Sequence, residues 1–247
     1  MILHRNSTTG SRVMRIALMI FSVIFVFPIY LVRLAIFGKS KNWDREKAYA
    51  YIQKRAKKAN IHGRVIVDVH GVENLPEKDG YVLFPNHQGM YDVLVFLDSC
   101  PRPFAFVAKK EVKNVPLLKQ TIAALHSLLM DRKDLRQSME VIKEMTRRIE
   151  GGENFLIFAE GTRSKMGNKM NEMKPGSFKC AVKAKAPIVP VALMDCFVPF
   201  DENSIKKVTV KAFYLKPMYY DEYKDMNTQE IAAEVKRRIE ETIAQNS

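Results

Sequence analysis

Tyr81-Val82-Leu83-Phe84-Pro85-Asn86-His87-Gln88-Gly89-Met90-Tyr91-Asp92 changes character halfway along. The apolar run ending at Pro85 predicts a buried strand, and the polar block behind it predicts a strand-end loop with a helix after Asp92. The same succession returns at Asn154 to Ala159, an apolar strand that passes directly into Glu160-Gly161-Thr162-Arg163-Ser164. In open α/β sheets, ligands bind beyond the carboxyl ends of the strands. If the two strands are parallel, both polar blocks stand on one sheet edge and can share one site.

Outward from these strands, helical and extended patterns alternate. Arg64 to His70, with polar and apolar residues in turn, predicts a strand, as do Phe104 to Ala108, Ile188 to Leu193 and Val208 to Leu215. Helices are predicted from Asn42 or Asp44 to about Asn60, from Asp134 to Glu150 with Gly151 and Gly152 as the stop, from Pro175 to Ala184, and from Asn227 to Ala244. Val115 to Leu125 reads as irregular and helix-rich. This alternation predicts an α/β fold with a largely parallel central sheet covered by helices. A chain of 247 residues is long enough for one good core. Residues 63–247 are therefore read as one domain, and residues 1–62 as an N-terminal helical segment for membrane attachment.

That attachment rests on composition. From Ile16 to Val32 the chain runs seventeen residues without a charge, between Arg15 and Arg33, and stays apolar to Phe37. As one helix the run would span about 25 Å, slightly short of a hydrocarbon core of about 30 Å. Pro28 lacks an amide hydrogen and disfavours a helical Phe27, so a break and two short helices are expected. Arg5, Arg12 and Arg15 precede the segment and Arg33, Lys39, Lys41, Arg45 and Lys47 follow it, so charge gives little orientation. A monotopic dip into one leaflet fits this pattern better than a single span, and no small-residue cleavage site of a signal peptide follows Phe37. Trp43 falls where an interfacial anchor belongs; Lys54, Arg55, Lys57 and Lys58 suit either an anionic headgroup layer or a solvated helix face.

The formal charge of +13 points to an anionic partner: phospholipid headgroups, nucleic acid or a phosphorylated substrate. No RNP-like or zinc-finger pattern is present, so no nucleic acid is expected. Cys100, Cys180 and Cys196 lack C-x-x-C spacing, which argues for a reducing compartment and against a disulfide framework or zinc site. The five histidines show no ligand spacing, so no metal and no other cofactor are expected.

Chemistry is sought in the two polar blocks. His87 is the candidate general base, since a neutral imidazole can take a proton near pH 7. Asp92 is its candidate partner, because a carboxylate accepting from one ring nitrogen leaves the other free to accept a proton. Residues five apart on a helix point about 140° from each other; the contact needs a curled backbone, and Gly89 is read as allowing the curl. The plainer alternative is a satisfied histidine in a capping turn, with Asp92 as a helix N-terminal charge. Arg163 can grip a phosphate through two parallel bonds, Thr162 and Ser164 offer hydroxyls, and Glu160 can accept from a substrate or orient Arg163. Here the alternative is a surface turn. No serine or cysteine occupies a nucleophile elbow, so an acceptor hydroxyl is expected to attack directly, without a covalent enzyme intermediate.

With these blocks in order, the sequence resembles the glycerolipid acyltransferase family, and within it the bacterial 1-acyl-sn-glycerol-3-phosphate acyltransferases. The block from Asn86 to Asp92 resembles the first family motif, Val107-Ala108-Lys109-Lys110-Glu111 to Pro116 the second, Phe158 to Ser164 the third, and Ile188-Val189-Pro190-Val191-Ala192 the fourth. The resemblance implies that His87 and Asp92 are catalytic, that Lys109 and Arg163 hold a phosphate, and that Glu160, Gly161 and Thr162 help form the acceptor site. It further implies an acyl-ACP or acyl-CoA donor, a lysophosphatidic acid acceptor, phosphatidic acid as product in phospholipid biosynthesis, and work at the cytoplasmic face of the cell membrane by a catalytic domain at 63–247. Gly89 stands where the family often has serine and Ala159 where it often has proline; neither change removes a charged or proton-transferring group. Glycerol-3-phosphate or another lipid as acceptor, a hydrolase using water, and a non-enzymatic basic membrane-binding protein are the competing readings.

Overall fold

The computed structural model describes residues 10–21, 27–39, 44–115, 117–202 and 204–247. Seven strands, β1 (Val65–His70), β2 (Val82–Pro85), β3 (Phe104–Lys109), β4 (Leu128–Met130), β5 (Asn154–Leu156), β6 (Ile188–Met194) and β7 (Val208–Tyr214), form one sheet in the order β1-β7-β6-β2-β5-β3-β4. The helices described are α1 (Gly10–Phe21), α2 (Phe27–Lys39), α3 (Arg45–His62), α4 (Asp92–Ser99) and α5 (Leu118–Ala124). They continue with α6 (Leu135–Glu150), α7 (Lys179–Ala184), α8 (Val198–Asp201), α9 (Tyr220–Tyr223) and α10 (Thr228–Gln245).

From β6 through β2, β5 and β3 to β4 every pairing is parallel, so five carboxyl ends meet along one edge. The sheet is thus α/β and largely parallel, as the alternation predicts, with one reversed flank: β7 runs antiparallel to β6 and carries β1 parallel beside it. Among its described residues the link from β6 to β7 holds the one-turn α8 and no helix long enough to return the chain across the sheet. β2 and β6 are buried along their whole lengths, as strands covered on both faces must be.

Caps set the long helices. The Asp44 carboxylate accepts from Lys47 N to start α3, and Asp134 accepts from Gln137 N to start α6. Asn227 and Glu230 form a reciprocal capping box at α10. Of the two candidate caps for α3, Asp44 serves; Trp43 and Pro116 lie outside the described residues. β4 has no counterpart in the sequence reading, because three half-buried residues carry no periodicity. The strand expected to reach Ala159 leaves the ladder after Leu156, and the helix expected from Pro175 begins as a 3₁₀ turn over Pro175–Phe178.

Each face of the sheet has its own apolar core. On one side Tyr49, Ile52 and Ala56 of α3 pack with Phe96, Phe104 and Tyr214. On the other, Val141 and Ile149 of α6 and Ile231 and Val235 of α10 cover Phe84, which stacks on Phe178 at 4.2 Å.

At the N-terminus two short helices are present, and Pro28 sits in the first turn of α2, where its missing amide hydrogen costs nothing. Among the described residues no helix is long and apolar enough to cross a membrane. Both helices present apolar side chains to solvent, Ile16 and Ile20 on α1, and Ile29, Val32 and Ile36 on α2. α2 packs on α5, and a Cβ at Gly38 would fall 2.9 Å from Ala123 Cβ.

Arg15 is the exception on α1, a buried cation. Its guanidinium donates to Gly63 O at 2.7 Å, to Ser204 O at 2.6 Å and to Lys206 O at 2.9 Å, binding α1 to the ends of α3 and the β6–β7 link. Hydrogen bonds from charged groups contribute about 1.5–3 kcal/mol each. Replacing Arg15 by Met keeps the apolar stem and removes these donors; Tm in a thermal melt is expected to fall by several degrees, while an exposed Ile16→Met change leaves it unmoved.

Candidate active site

The parallel core brings the loop after β2 (86–91) beside the loop after β5 (157–167), and buried hydrogen bonds fix how they meet. Asn86 is fully buried and pairs twice with Leu193 at the end of β6, donating to its carbonyl at 3.0 Å and accepting from its amide at 2.7 Å. Gln88 accepts from Cys196 N and donates to Asn168 Oδ1, each at 2.8 Å; Asn168 donates in turn to Asp195. The Ser164 amide donates to His87 O at 2.9 Å. Strand ends β2, β5 and β6 thereby become one unit.

Glu160 closes that unit. Its carboxylate is 2% exposed and accepts from His87 N at 2.7 Å through one oxygen and from Asn171 N at 2.8 Å through the other. Burial raises its pKa, and the two amides work against that rise. The sequence reading had Glu160 facing a substrate or Arg163; instead each of its oxygens accepts from a backbone amide in a loop, outside any helix or strand.

Within this frame His87 Nδ1 lies 2.7 Å from Asp92 Oδ2. The same carboxylate accepts from Gln88 N at 2.7 Å and Gly89 N at 3.0 Å, so it acts as an acceptor on every side, and Nδ1 carries the imidazole proton. Asp92 is completely buried, whereas the imidazole is 20% exposed. Burial pushes the Asp92 carboxyl up, and His87 with the two amides pulls it back toward ionisation. Phe158 stacks on the imidazole at 4.1 Å, which fixes the ring plane; with Nδ1 on Asp92, Nε2 is the ring nitrogen left to take a proton. The curl that lets residues five apart meet is the turn before α4. Gly89 keeps ordinary negative φ there, and its need is space: a Cβ would fall 3.1 Å from Phe197 Cα and 3.2 Å from Cys196 O.

An open cleft of about 480 Å³ is lined by Arg163, Lys165, Gly167, Phe197 and Asp201. Its walls belong to the same framework, since Gln88 donates to Gly167 O at 3.4 Å and Phe197 backs Gly89. Arg163 forms no ion pair in the described structure and faces this cleft with Lys165 beside it. Gly161 takes φ +75°, a left-handed turn, and a Cβ there would strike the Lys174 side chain at 2.9 Å. Thr162 is exposed, with its carbonyl accepting from Asn171 Nδ2 at 3.5 Å. Lys109 stands exposed at the end of β3, two strands from β2, and does not line the cleft; Lys110 beside it pairs with Asp131.

The structure thus assembles His87, Asp92, Glu160, Gly161 and Arg163 and sets Lys109 apart along the edge. The sequence reading missed Asn86, Gln88, Phe158 and Asn168. Asn86 and Gln88 flank His87, yet sequence does not tell a buried amide from a solvated one. All three cysteines are buried, and burial drives the Cys180 thiol up to about 12, so none is a ready nucleophile.

Known proteins share this architecture. The family model described as Acyltransferase matches residues 66–194. A chloroplastic 1-acyl-sn-glycerol-3-phosphate acyltransferase of Brassica napus is 28% identical over 71% of the chain, which spans 52% of that relative's length. A probable 1-acyl-sn-glycerol-3-phosphate acyltransferase of Mycoplasma genitalium is 31% identical, with 75% of the chain and 73% of the relative covered. The crystal structure of the 1-acyl-sn-glycerophosphate (LPA) acyltransferase of Thermotoga maritima superposes with a TM-score of 0.72 at 26% identity, covering 94% of this chain and 98% of that one.

Glu160→Gln places an amide nitrogen against one of the two amide hydrogens. The unpaired donor costs about 1–3 kcal/mol. A lower Tm is expected, with the His87 ring resonance shifted in an NMR spectrum; an unchanged imidazole signal would mean that the clamp does not position the base.

Proposed function

The chain belongs to the acyltransferase family, and we propose that it transfers a fatty acyl group from a thioester, acyl-ACP or acyl-CoA, to the sn-2 hydroxyl of 1-acyl-sn-glycerol-3-phosphate, giving phosphatidic acid. One observation carries the reading: the imidazole is held by the buried Asp92 carboxylate at 2.7 Å, on a loop bonded through His87 O to Ser164 N, next to the Arg163 that lines the cleft.

In this mechanism His87 Nε2 takes the proton of the acceptor hydroxyl as its oxygen attacks the thioester carbonyl carbon. The tetrahedral intermediate collapses, the C–S bond breaks, and the imidazolium returns its proton to the departing thiolate. Asp92 holds the tautomer and stabilises the transient cation. The buried cysteines support direct transfer without an acyl-enzyme. Arg163, with Lys165 beside it, grips the acceptor phosphate by charge-assisted bonds, Thr162 offers its hydroxyl at the rim, and Lys109 adds positive field from along the edge. Glu160 and Gly161 give the turn its shape.

The apolar faces of α1 and α2 support a monotopic hold on the cytoplasmic face of the cell membrane. On this reading residues 1–62 attach the chain and residues 63–247 carry out catalysis, next to the source of the lipid acceptor.

A positioned base supplies about 10²- to 10⁴-fold of rate. With labelled thioester and lysophosphatidic acid, His87→Ala is expected to lower kcat by at least about 10² while acceptor binding persists. Arg163→Ala is expected to act mainly through acceptor KM, lowering kcat/KM about 10- to 100-fold, and to spare any slow transfer to an acceptor without phosphate. Full turnover by His87→Ala would end the proposal.

A further inference from the structure

Tyr51 of α3 sits where α3 meets α2, with Tyr30 stacked on it at 5.5 Å and Phe37 tilted against it at 5.9 Å between ring centroids. Two guanidinium groups close on the same ring, Arg33 from α2 at 5.4 Å and Arg55 from α3 at 5.5 Å from the centroid. Neither forms an ion pair with any described residue, so two like charges gather around one tyrosine. Two donors at this spot are also unspent: Tyr51 Oη and Arg55 Nε are shielded from solvent and have no hydrogen-bond partner among the described residues. A buried donor left unpaired costs free energy, and an acceptor brought by a ligand removes that cost.

A tetrahedral oxyanion answers all of these features. It sets negative charge against both guanidinium groups and offers several oxygens to donors arriving from two helices and a phenol. The surroundings say what carries it. On α2, Ile29, Val32 and Ile36 are exposed at helical spacing, forming an apolar stripe that runs past Arg33. On α3, Lys54 and Lys58 are exposed one residue before and three after Arg55, adding positive potential around the entrance. A phosphate beside an apolar stripe is the chemistry of a phospholipid.

We propose that Arg33, Arg55 and Tyr51 bind the headgroup phosphate of an anionic phospholipid, at a site separate from the Arg163 cleft, and so seat the junction of α2 and α3 on the bilayer surface. The proposal rests on the membrane-surface part of the proposed function and is independent of the acyl-transfer step.

The test uses the full chain with vesicles of phosphatidylcholine, with and without phosphatidylglycerol. Arg33→Gln with Arg55→Gln is expected to lower partitioning onto the anionic vesicles by about tenfold or more. Lys54→Gln with Lys58→Gln removes the same charge from neighbouring exposed positions and is expected to cost less. Tyr51→Phe changes no charge; it is expected to weaken anionic-vesicle binding and, without lipid, to hold or raise Tm by deleting an unpaired hydroxyl.

Monomeric short-chain phosphatidylglycerol should raise the Tm of the wild type but not of the double arginine variant. Equal losses in the two double variants, or an unaffected Tyr51→Phe, would reduce the effect to diffuse surface charge and overturn the site. Equal protection by inorganic phosphate would overturn the lipid assignment. Turnover of a soluble thioester and short-chain acceptor without vesicles should survive in the double arginine variant, whereas His87→Ala should lose turnover and keep vesicle binding. Failure of the lipid site is thereby distinguishable from failure of the reaction.

Discussion

The buried carboxylate of Glu160 accepts one amide hydrogen from the loop that bears His87 and another from the segment at Asn171, and it sits at the end of the strand that bears neither. Three chain segments that share no local sequence signal are held at bonding distance by one residue. Asn86 and Gln88 extend the tie to β6. In a low-dielectric interior such bonds are strong, and leaving any of them unmade is costly, so the loop ends adopt one arrangement. The position of the imidazole follows from that arrangement, since its backbone is gripped on one side by Glu160 and on the other by Ser164.

Asp92 adds the second constraint. A carboxylate without exposure is expensive in isolation, and three donors within 3.0 Å offset the expense. Those donors include the ring it orients, so the burial that strains the carboxylate also fixes the tautomer. Phe158, one residue before Ala159 and two before Glu160, stacks on that ring, so one short turn supplies both the backbone clamp and the platform under the base. On the proposed mechanism, little reorganisation remains for the moment of proton transfer.

The N-terminal helices are coupled to the same edge. Arg15 of α1 bonds to carbonyls just beyond α8, and Asp201 of α8 lines the cleft with Phe197. An α1 lying along a bilayer would therefore set the direction in which the cleft opens. The Tyr51 cluster lies in the same N-terminal layer and, as a lipid site, would fix a second point of contact. Two contacts restrain the tilt that a single one leaves free.

Much of this was written in the amino-acid order. Apolar runs at Val82–Pro85 and from Ile188 to Leu193 specify strands covered on both faces, and Asp134 and Asn227 announce their helices, as does the pair Asn42 or Asp44, because periodicity and capping are local. The two polar blocks, and the pairing of His87 with Asp92, were legible for the same reason: each lies within a few residues of its own strand. The reversal of β7, the extra strand β4, the tight clearance at Gly89, the turning of Glu160 inward and the gathering of Arg33 and Arg55 on Tyr51 were decided only in three dimensions. They depend on which distant backbone groups lack partners once the sheet has closed. That deficit belongs to the folded chain, because in the unfolded one water satisfies every amide and every charge.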